Sequence, residues 1–308
     1  MVTRIGGMAS GMDTASIVKS LMDAERLPLI KLERKEQQLE WKQDDYREMN
    51  VKLKNLFDSV DPLRLQGSFT VSNPPTETEK DEIITKIKKF VDTYNEVTSA
   101  IHGKIKEDRH ADYQPLTNDE RDAMSDKQAD RWDAKARSGM LRNDSMLQGI
   151  LTEMRSELSN PLAGATDTNF DTLSEIGISV KGSYHENGKL TLDETKLRDI
   201  LSTTSGVDAV KELFTKAGTT TNENGIAKRV LDTLNIGMKK ISQTAGSAGS
   251  VPTGNTIGKE LLRLSKQMAN FNQRLAGIED RYWKQFTAME KAMSQMNSQS
   301  AWLYQQFG

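Results

Sequence analysis

From Leu264 to the end of the chain, apolar residues return in alternating steps of four and three. They are Leu264, Met268, Phe271, Leu275, Ile278, Tyr282, Phe286, Met289, Met293, Met296, Leu303 and Phe307, with Ser300 the one polar interruption. One extra step of four falls at Tyr282–Phe286. This spacing is an a/d seam with a single stutter. It predicts one long coiled-coil helix of roughly 65 Å, at ~1.5 Å per residue. Such a helix cannot cover its own seam, so it needs partners. From Ala292 onward the chain carries no charged side chain at all. An apolar seam flanked only by neutral residues is a surface for protein–protein contact, and it points to assembly rather than catalysis.

The other end of the chain has a similar pattern. Asp13 and Thr14 are candidate N-caps for a helix opening with Ile17, Val18, Leu21 and Met22. Pro28 lacks the N–H of an interior helix bond, so two helical pieces are expected, 14–27 and 29–62. In the second, Leu32, Leu39, Tyr46, Leu53 and Val60 recur every seven residues, with Met49 and Leu56 filling the second seam position only in the later half. Asp61-Pro62 ends it, and Gly67, Pro74 and Pro75 mark a turn or short linker over 64–80. A third heptad pattern runs through Ile83, Ile87, Phe90, Tyr94, Val97, Ile101 and Ile105.

The middle of the chain is mixed. Residues 106–116 read as a polar loop. Met124, Gln128, Ala129, Trp132 and Ala136 mark one helical face over 117–138. Met146, Ile150, Leu151, Met154 and Leu158 mark the next helix, capped by Asn143 or Asp144 and stopped by Asn160-Pro161. Ile176, Ile178 and Val180 alternate before Gly182, Asn187-Gly188, Leu190 and Leu192, a β-hairpin pattern. Thr191 and Glu194 have capping-box spacing before a helix at Leu197, Ile200 and Leu201. Helices over 206–217 and 226–241 follow, then a small-residue linker over 242–256. The predicted fold class is mainly α with a small β-hairpin element. Long terminal coiled-coil helices form a stalk, and between them lies a small mixed α+β middle domain.

Composition narrows the functional classes. Apolar residues make up 36% and charged residues 28%, a balance that suits helical rods with solvated faces better than a large core. The net charge of −2 and the lack of a basic, aromatic-interleaved cluster argue against a nucleic-acid partner. No stretch approaches the ~20 apolar residues of a membrane span. The opening MVTRIGGMASGMD has no basic region followed by an apolar run, so a secretory signal peptide is not expected. Its glycines follow no strand and lack the lysine of a phosphate loop, so residues 1–12 read as flexible. Cysteine is absent, which excludes disulfides, thiolate metal sites and a cysteine nucleophile. His102, His110 and His185 show no metal-ligand spacing, and His110 with Asp112 reads as a polar loop. No GxSxG or HExxH motif is present. No catalytic, cofactor or metal residues are expected.

Several strings together resemble the bacterial flagellar filament cap family. They are GMASGMDTASIVKSLMDAERLPLIKLERK (7–35), FVDTYNEV (90–97), SGMLRNDSML (138–147), LSEIGISV (173–180) with GKLTLDETKL (188–197), and QFTAMEKAMSQMNSQSAWL (285–303). They occur in the family's order and cover nearly the whole chain. Members usually carry a large β-rich head between the first long helix and the FVDTYNEV helix. Here 65–69 resembles the start of that insertion and 76–82 its end, with only a few residues between, so the head is expected to be missing.

The resemblance implies leg helices over 1–28 and 275–308. It also implies a helical leg domain with the hairpin over 29–66 and 81–274, and a junction over 67–80. It implies a non-enzymatic cap at the distal tip of the flagellum, outside the cell, beneath which exported flagellin folds and polymerises. The implied partners are a ring-shaped homo-oligomer (expected as a pentamer), flagellin, the hook–filament junction protein and a flagellar export chaperone. Adhesion, known for some members, goes with the head. Ile17, Leu21, Phe286, Met289, Met293, Met296, Trp302 and Leu303 are the expected assembly interface. Another flagellar axial protein, such as a hook–filament junction subunit, is the alternative, and the AMEKAMSQMNSQSAWL string argues against it. A cell-wall enzyme is a third reading, for which no acid pair or ligand set appears.

Overall fold

The structure is a computed structural model that describes residues 11–180, 188–247 and 249–307. Among these residues the chain forms nine α-helices and one two-stranded antiparallel sheet. The helices are α1 (Thr14–Val60), α2 (Glu77–Lys106), α3 (Asn118–Asp122), α4 (Asp126–Arg137), α5 (Ser145–Ser159), α6 (Glu194–Ile200), α7 (Thr204–Thr215), α8 (Ile226–Ala245) and α9 (Thr256–Phe307). The strands are β1 (Ile178–Val180) and β2 (Leu190–Leu192). The expected mainly helical class with one hairpin and long terminal helices is what forms. The chain divides into two compact units. One takes residues up to Leu39, Gln114–Asp130 and those from Glu260 on. The other takes Glu40–Tyr113 and Arg131–Lys259.

In the second unit the heptad pattern grades into burial. Tyr46, Met49, Leu53, Leu56 and Val60 of α1 are all buried, as are the seven apolar seam residues of α2. Polar side chains on the same helices hold the pair in register. Lys52 of α1 meets Glu96 of α2 at 3.2 Å, and the fully buried Asp45 takes Lys104 of α2 at 3.1 Å and Arg137 of α4 at 2.9 Å. A carboxylate removed from water needs such cationic partners. Asp144 is used twice: one oxygen caps α5 by accepting from the Leu147 N–H at 3.0 Å, and the other accepts from the Tyr46 hydroxyl at 2.5 Å. Burial, reinforced by that anionic acceptor, pushes the Tyr46 phenol above its ordinary value.

Close approach of α5 and α8 depends on Gly237, where an added Cβ would lie 2.9 Å from the Ile150 Cδ1. Strands β1 and β2 pair with Ile178 opposite Leu192 and Val180 opposite Leu190. The Asn95 side chain of α2 then acts as the next strand. Its amide donates to the Leu190 carbonyl and its oxygen accepts from the Leu190 N–H, both at 2.8 Å. That exchange satisfies part of an edge the two-stranded sheet would otherwise leave open. Gly182 and Asn187, part of the predicted hairpin turn, lie outside the described residues, as do residues 1–10 and His185.

Four sequence expectations are corrected. Pro28 sits inside α1 rather than ending it. Ala24, whose carbonyl loses its donor there, and Pro28 itself are both exposed, so water takes the missing bond, while Leu29 beside them is buried. The single helical face over 117–138 is two helices, because Ser125 starts a new one: its N–H and hydroxyl both reach the Gln128 side chain. The cap of α6 is Asp193, accepting from Lys196 N–H at 3.0 Å, whereas Thr191 belongs to β2. The linker before α9 is shorter than expected, since α8 runs to Ala245 and α9 starts at Thr256.

Between α1 and α2 the chain turns through two short 3-10 segments, Asp61–Arg64 and Gln66–Phe69. Phe69 is buried and stacks on Phe214 of α7 at 6.0 Å between ring centroids. Thr76 then opens α2 with a full capping box. Its hydroxyl accepts from the Glu79 N–H, and the Glu79 carboxylate takes the Thr76 N–H at 2.8 Å while also taking the Ser72 N–H at 2.9 Å. These bonds, the Thr76 backbone donor first, pull the Glu79 carboxyl from 4.5 down to about 2.

Two outcomes follow for this unit. The Glu79 carboxyl titrates near 2 by carbon-detected NMR. Its pKa is lower folded than unfolded, so its contribution to stability is complete above pH 4.5 and fades as pH falls from 4.5 toward 2. Asp144→Ala loses a cap and a buried acceptor together and destabilises by about 2 kcal/mol. Tyr46→Phe, which leaves the cap intact, costs about half that in the same chemical denaturation series.

Candidate assembly surface

In the first unit, α1 starts with Asp13 as cap, its carboxylate accepting from the Ser16 N–H at 3.0 Å. Val18, Met22 and Leu29 follow at helical spacing and are buried together with Leu275 and Ile278 of α9. Met268, Phe271, Tyr282, Trp283 and Phe286 pack around this cluster from α9. The α9 seam is therefore packed against the first turns of α1 from Met268 as far as Phe286, and Leu264 ahead of it is buried as well. Polar contacts set the two helices antiparallel: Lys35 pairs with Glu260 at 3.1 Å, and further along the Tyr282 hydroxyl reaches Glu25 at 3.3 Å.

The small helix α3 is tied to α1 in the same unit. The Arg34 guanidinium grips both oxygens of Glu120 at 2.7 and 3.0 Å and donates to the Pro115 carbonyl at 3.1 Å, and the side chains of Gln38 and Gln114 meet at 2.9 Å. The Thr117 N–H, then Arg34, hold the Glu120 carboxyl below the usual carboxylate range.

Beyond Phe286 the cover thins. Glu290 is still buried, Met289 and Met293 are half-buried, and every residue from Ser294 to Phe307 is exposed. Helix α9 continues through this stretch. The stutter at Tyr282–Phe286 thus falls just ahead of the half-buried part of the seam.

The expected interface residues separate into two groups. Phe286 packs on the cluster, with Met289 and Met293 half-buried beyond it. Met296 (61%), Trp302 (56%) and Leu303 (48%) stand exposed on the tail of α9. Ile17 and Leu21 are also exposed, one helical position round from the buried Val18 and Met22. The first turns of α1 therefore carry two apolar strips, one covered and one not. Sequence reasoning passed over Tyr304, 83% exposed, and Leu27, 58% exposed. Tyr304 lies off the seam spacing, and Leu27 was hidden by its place before a proline. Among the described residues no group of three or more His, Asp or Glu side chains is arranged to hold a metal ion. His110 lies edge-on to Tyr113. No described helix is long and apolar enough to cross a membrane.

Known proteins place this architecture. Residues 69–298 match the family described as flagellar hook-associated protein 2 C-terminus, and residues 10–100 match flagellar hook-associated protein 2 N-terminus. The chain belongs to the flagellar hook-associated protein 2 family. Flagellar hook-associated protein 2 of Halalkalibacterium halodurans is 35% identical over 245 residues, covering 74% of this chain and 45% of that one. The Thermotoga maritima protein of the same name is 29% identical over 267 residues, 82% of this chain and 39% of that one. The Salmonella typhimurium protein is 27% identical over 253 residues, 81% and 46%. The chain spans less than half the length of these relatives. The crystal structure of the flagellar cap protein FliD D1-D2-D3 domains from Escherichia coli aligns over 58% of this chain and 35% of that one, at 23% identity and a TM-score of 0.32, too low to bear on the fold.

Covered and uncovered strips should respond differently to truncation. Leu275→Ala or Met22→Ala removes about 3 kcal/mol from the α1–α9 packing and speeds amide hydrogen exchange over 264–286, with α2 unaffected. Ile17→Ala and Leu21→Ala change stability by less than about 0.5 kcal/mol in the same measurement.

Proposed function

We propose that this chain is a structural subunit of the cap at the distal end of the bacterial flagellar filament, outside the cell, where it promotes polymerisation of exported flagellin and prevents its loss. The observation that carries the reading is the tail of α9. Fourteen consecutive residues, 294–307, are exposed on a helix that holds no charge from Ala292 on, and they include Met296, Trp302, Leu303, Tyr304 and Phe307. A patch of this kind marks an interaction surface. Membership of the flagellar hook-associated protein 2 family supports the flagellar filament as the machine that surface serves.

In this reading residues 1–28 and 275–308 are leg helices, and 29–66 with 81–274 form the leg domain. The junction over 67–80 stands where longer members carry further domains, in keeping with the shorter chain and with the overlap of the two family matches at 69–100. The partners are copies of this chain in a ring, a pentamer, together with flagellin, the hook–filament junction protein and an export chaperone. The role is one of contact, without catalysis.

The chemistry of the tail suits a cap that must hold and yet move at each addition of flagellin. Apolar contacts are non-directional, and Gln and Ser exchange hydrogen-bond partners at little cost. A charged lock would resist such movement, and none is present after Lys291. Methionine, unbranched and polarizable, adapts to changing neighbours.

The test is to supply this chain to cells lacking their own cap and to image the filaments. The unaltered chain restores filament growth and a ring at the tip. Met293→Asp abolishes growth and sheds flagellin into the medium, while circular dichroism shows the helices of the second unit intact. Filaments of normal length from the Met293→Asp chain would rule the reading out.

A further inference from the structure

Met289, Met293 and Met296 follow one another at steps of four and three, so they line a single face of α9. They differ sharply from the methionines of the cores. Met22 is 5%, Met49 1% and Met154 0% exposed, whereas Met296 is 61% exposed and its two neighbours are half-buried. The chain has no cysteine, so no thiol competes for an oxidant. From Ala292 on, the tail that carries Met293 and Met296 holds no charge, and its contact chemistry rests on apolar side chains. Among the described methionines Met296 is the most exposed, and it is also part of the seam.

We propose that the α9 tail is an oxidation site: a peroxide converts Met296, then Met293 and Met289, to sulfoxides and so disables the apolar seam. In each step the sulfur attacks the terminal oxygen of the O–O bond. The sulfur gives up two electrons and gains one oxygen as the bond breaks, and the peroxide leaves as water or an alcohol. The product is a polar, chiral side chain in place of a flexible apolar one. Sulfoxides at consecutive positions of one face put strong hydrogen-bond acceptors into the surface that meets a partner, where they have no donor assigned to them. Core methionines escape because the oxidant cannot reach them without unfolding. The effect on assembly rests on the cap reading above, but the selectivity of the chemistry does not.

The experiment treats the folded full-length chain with hydrogen peroxide and follows each methionine by peptide mass spectrometry. Met296 converts completely while Met22, Met49 and Met154 remain thioethers. Met12, exposed but ahead of α1, converts as well and serves as an internal control. Equal rates across exposed and core methionines would overturn the proposal. Treated and untreated chain are then supplied to cap-null cells. Treated chain loses most of its filament-restoring activity relative to untreated chain. The same ratio stays near one for a Met289→Leu, Met293→Leu, Met296→Leu chain, whatever its untreated level, and falls as in the parent for Met12→Leu. If treated parent chain works as well as untreated, the switch is refuted while the cap reading stands. If untreated parent chain fails, the cap reading falls instead, and the switch falls with it.

Discussion

An apolar seam on a helix in water has to be covered, and α9 carries more seam than α1 covers. The first turns of α1 bury Leu275 and Ile278 and gather Phe271, Tyr282 and Phe286 around them, and past Met293 the burial ends. From Ser294 on, α9 keeps its helical form and its apolar spacing with its residues exposed. Roughly 25 cal/mol is gained per Å² of apolar surface removed from water. A tail bearing Trp302, Leu303, Tyr304 and Phe307 in the open therefore holds a reserve of association free energy that the isolated chain does not use.

The second unit is organised on the opposite principle. Its seams are covered, and several polar groups are matched in pairs or triples: the buried Asp45 between Lys104 and Arg137, the half-buried Asp144 between a helix end and a tyrosine, the half-buried Asn95 against a strand edge. Such matching favours one arrangement over its near alternatives, because a slip of one position would strand a charge or a donor in the core. A scaffold meant to present a mobile contact surface benefits from a part that does not shift.

Much of this was readable in the residues. The heptads of α2 and of the later half of α1 foretell which side chains are buried, because a period of seven on a long helix leaves only one face to cover, whereas Leu32 and Leu39 of the thinner early heptads are half-buried. Family membership was legible too, since several unrelated strings recur in one order. What could not be read was local. A proline costs a helix bond and so predicts a stop at Pro28, but whether that cost ends the helix depends on solvent at Ala24 and on burial of Leu29, which are tertiary facts. Spacing alone points to Thr191 as the cap of α6, but a strand and a capping box compete for the same residues and pairing with β1 decides between them. In the candidate surface, spacing identified Met293 and Met296. It could not tell the covered strip of α1 from the open one, because Ile17 and Val18 are equally apolar and differ only in which way α9 lies.

The box formed by Ser72, Thr76 and Glu79 is wholly local: each of its hydrogen bonds joins residues at most seven apart. Helix α2 therefore begins at Glu77 on instructions written within a few residues of that point, and Phe69 is anchored separately on Phe214. The stretch between these anchors is tied to the rest of the unit by little more than the Thr204 hydroxyl donating to the Asn73 side chain at 3.0 Å and the buried Pro75. On the reading proposed above it serves, in evolutionary terms, as a free port, where whole domains are gained or shed while chains of very different length remain members of one family.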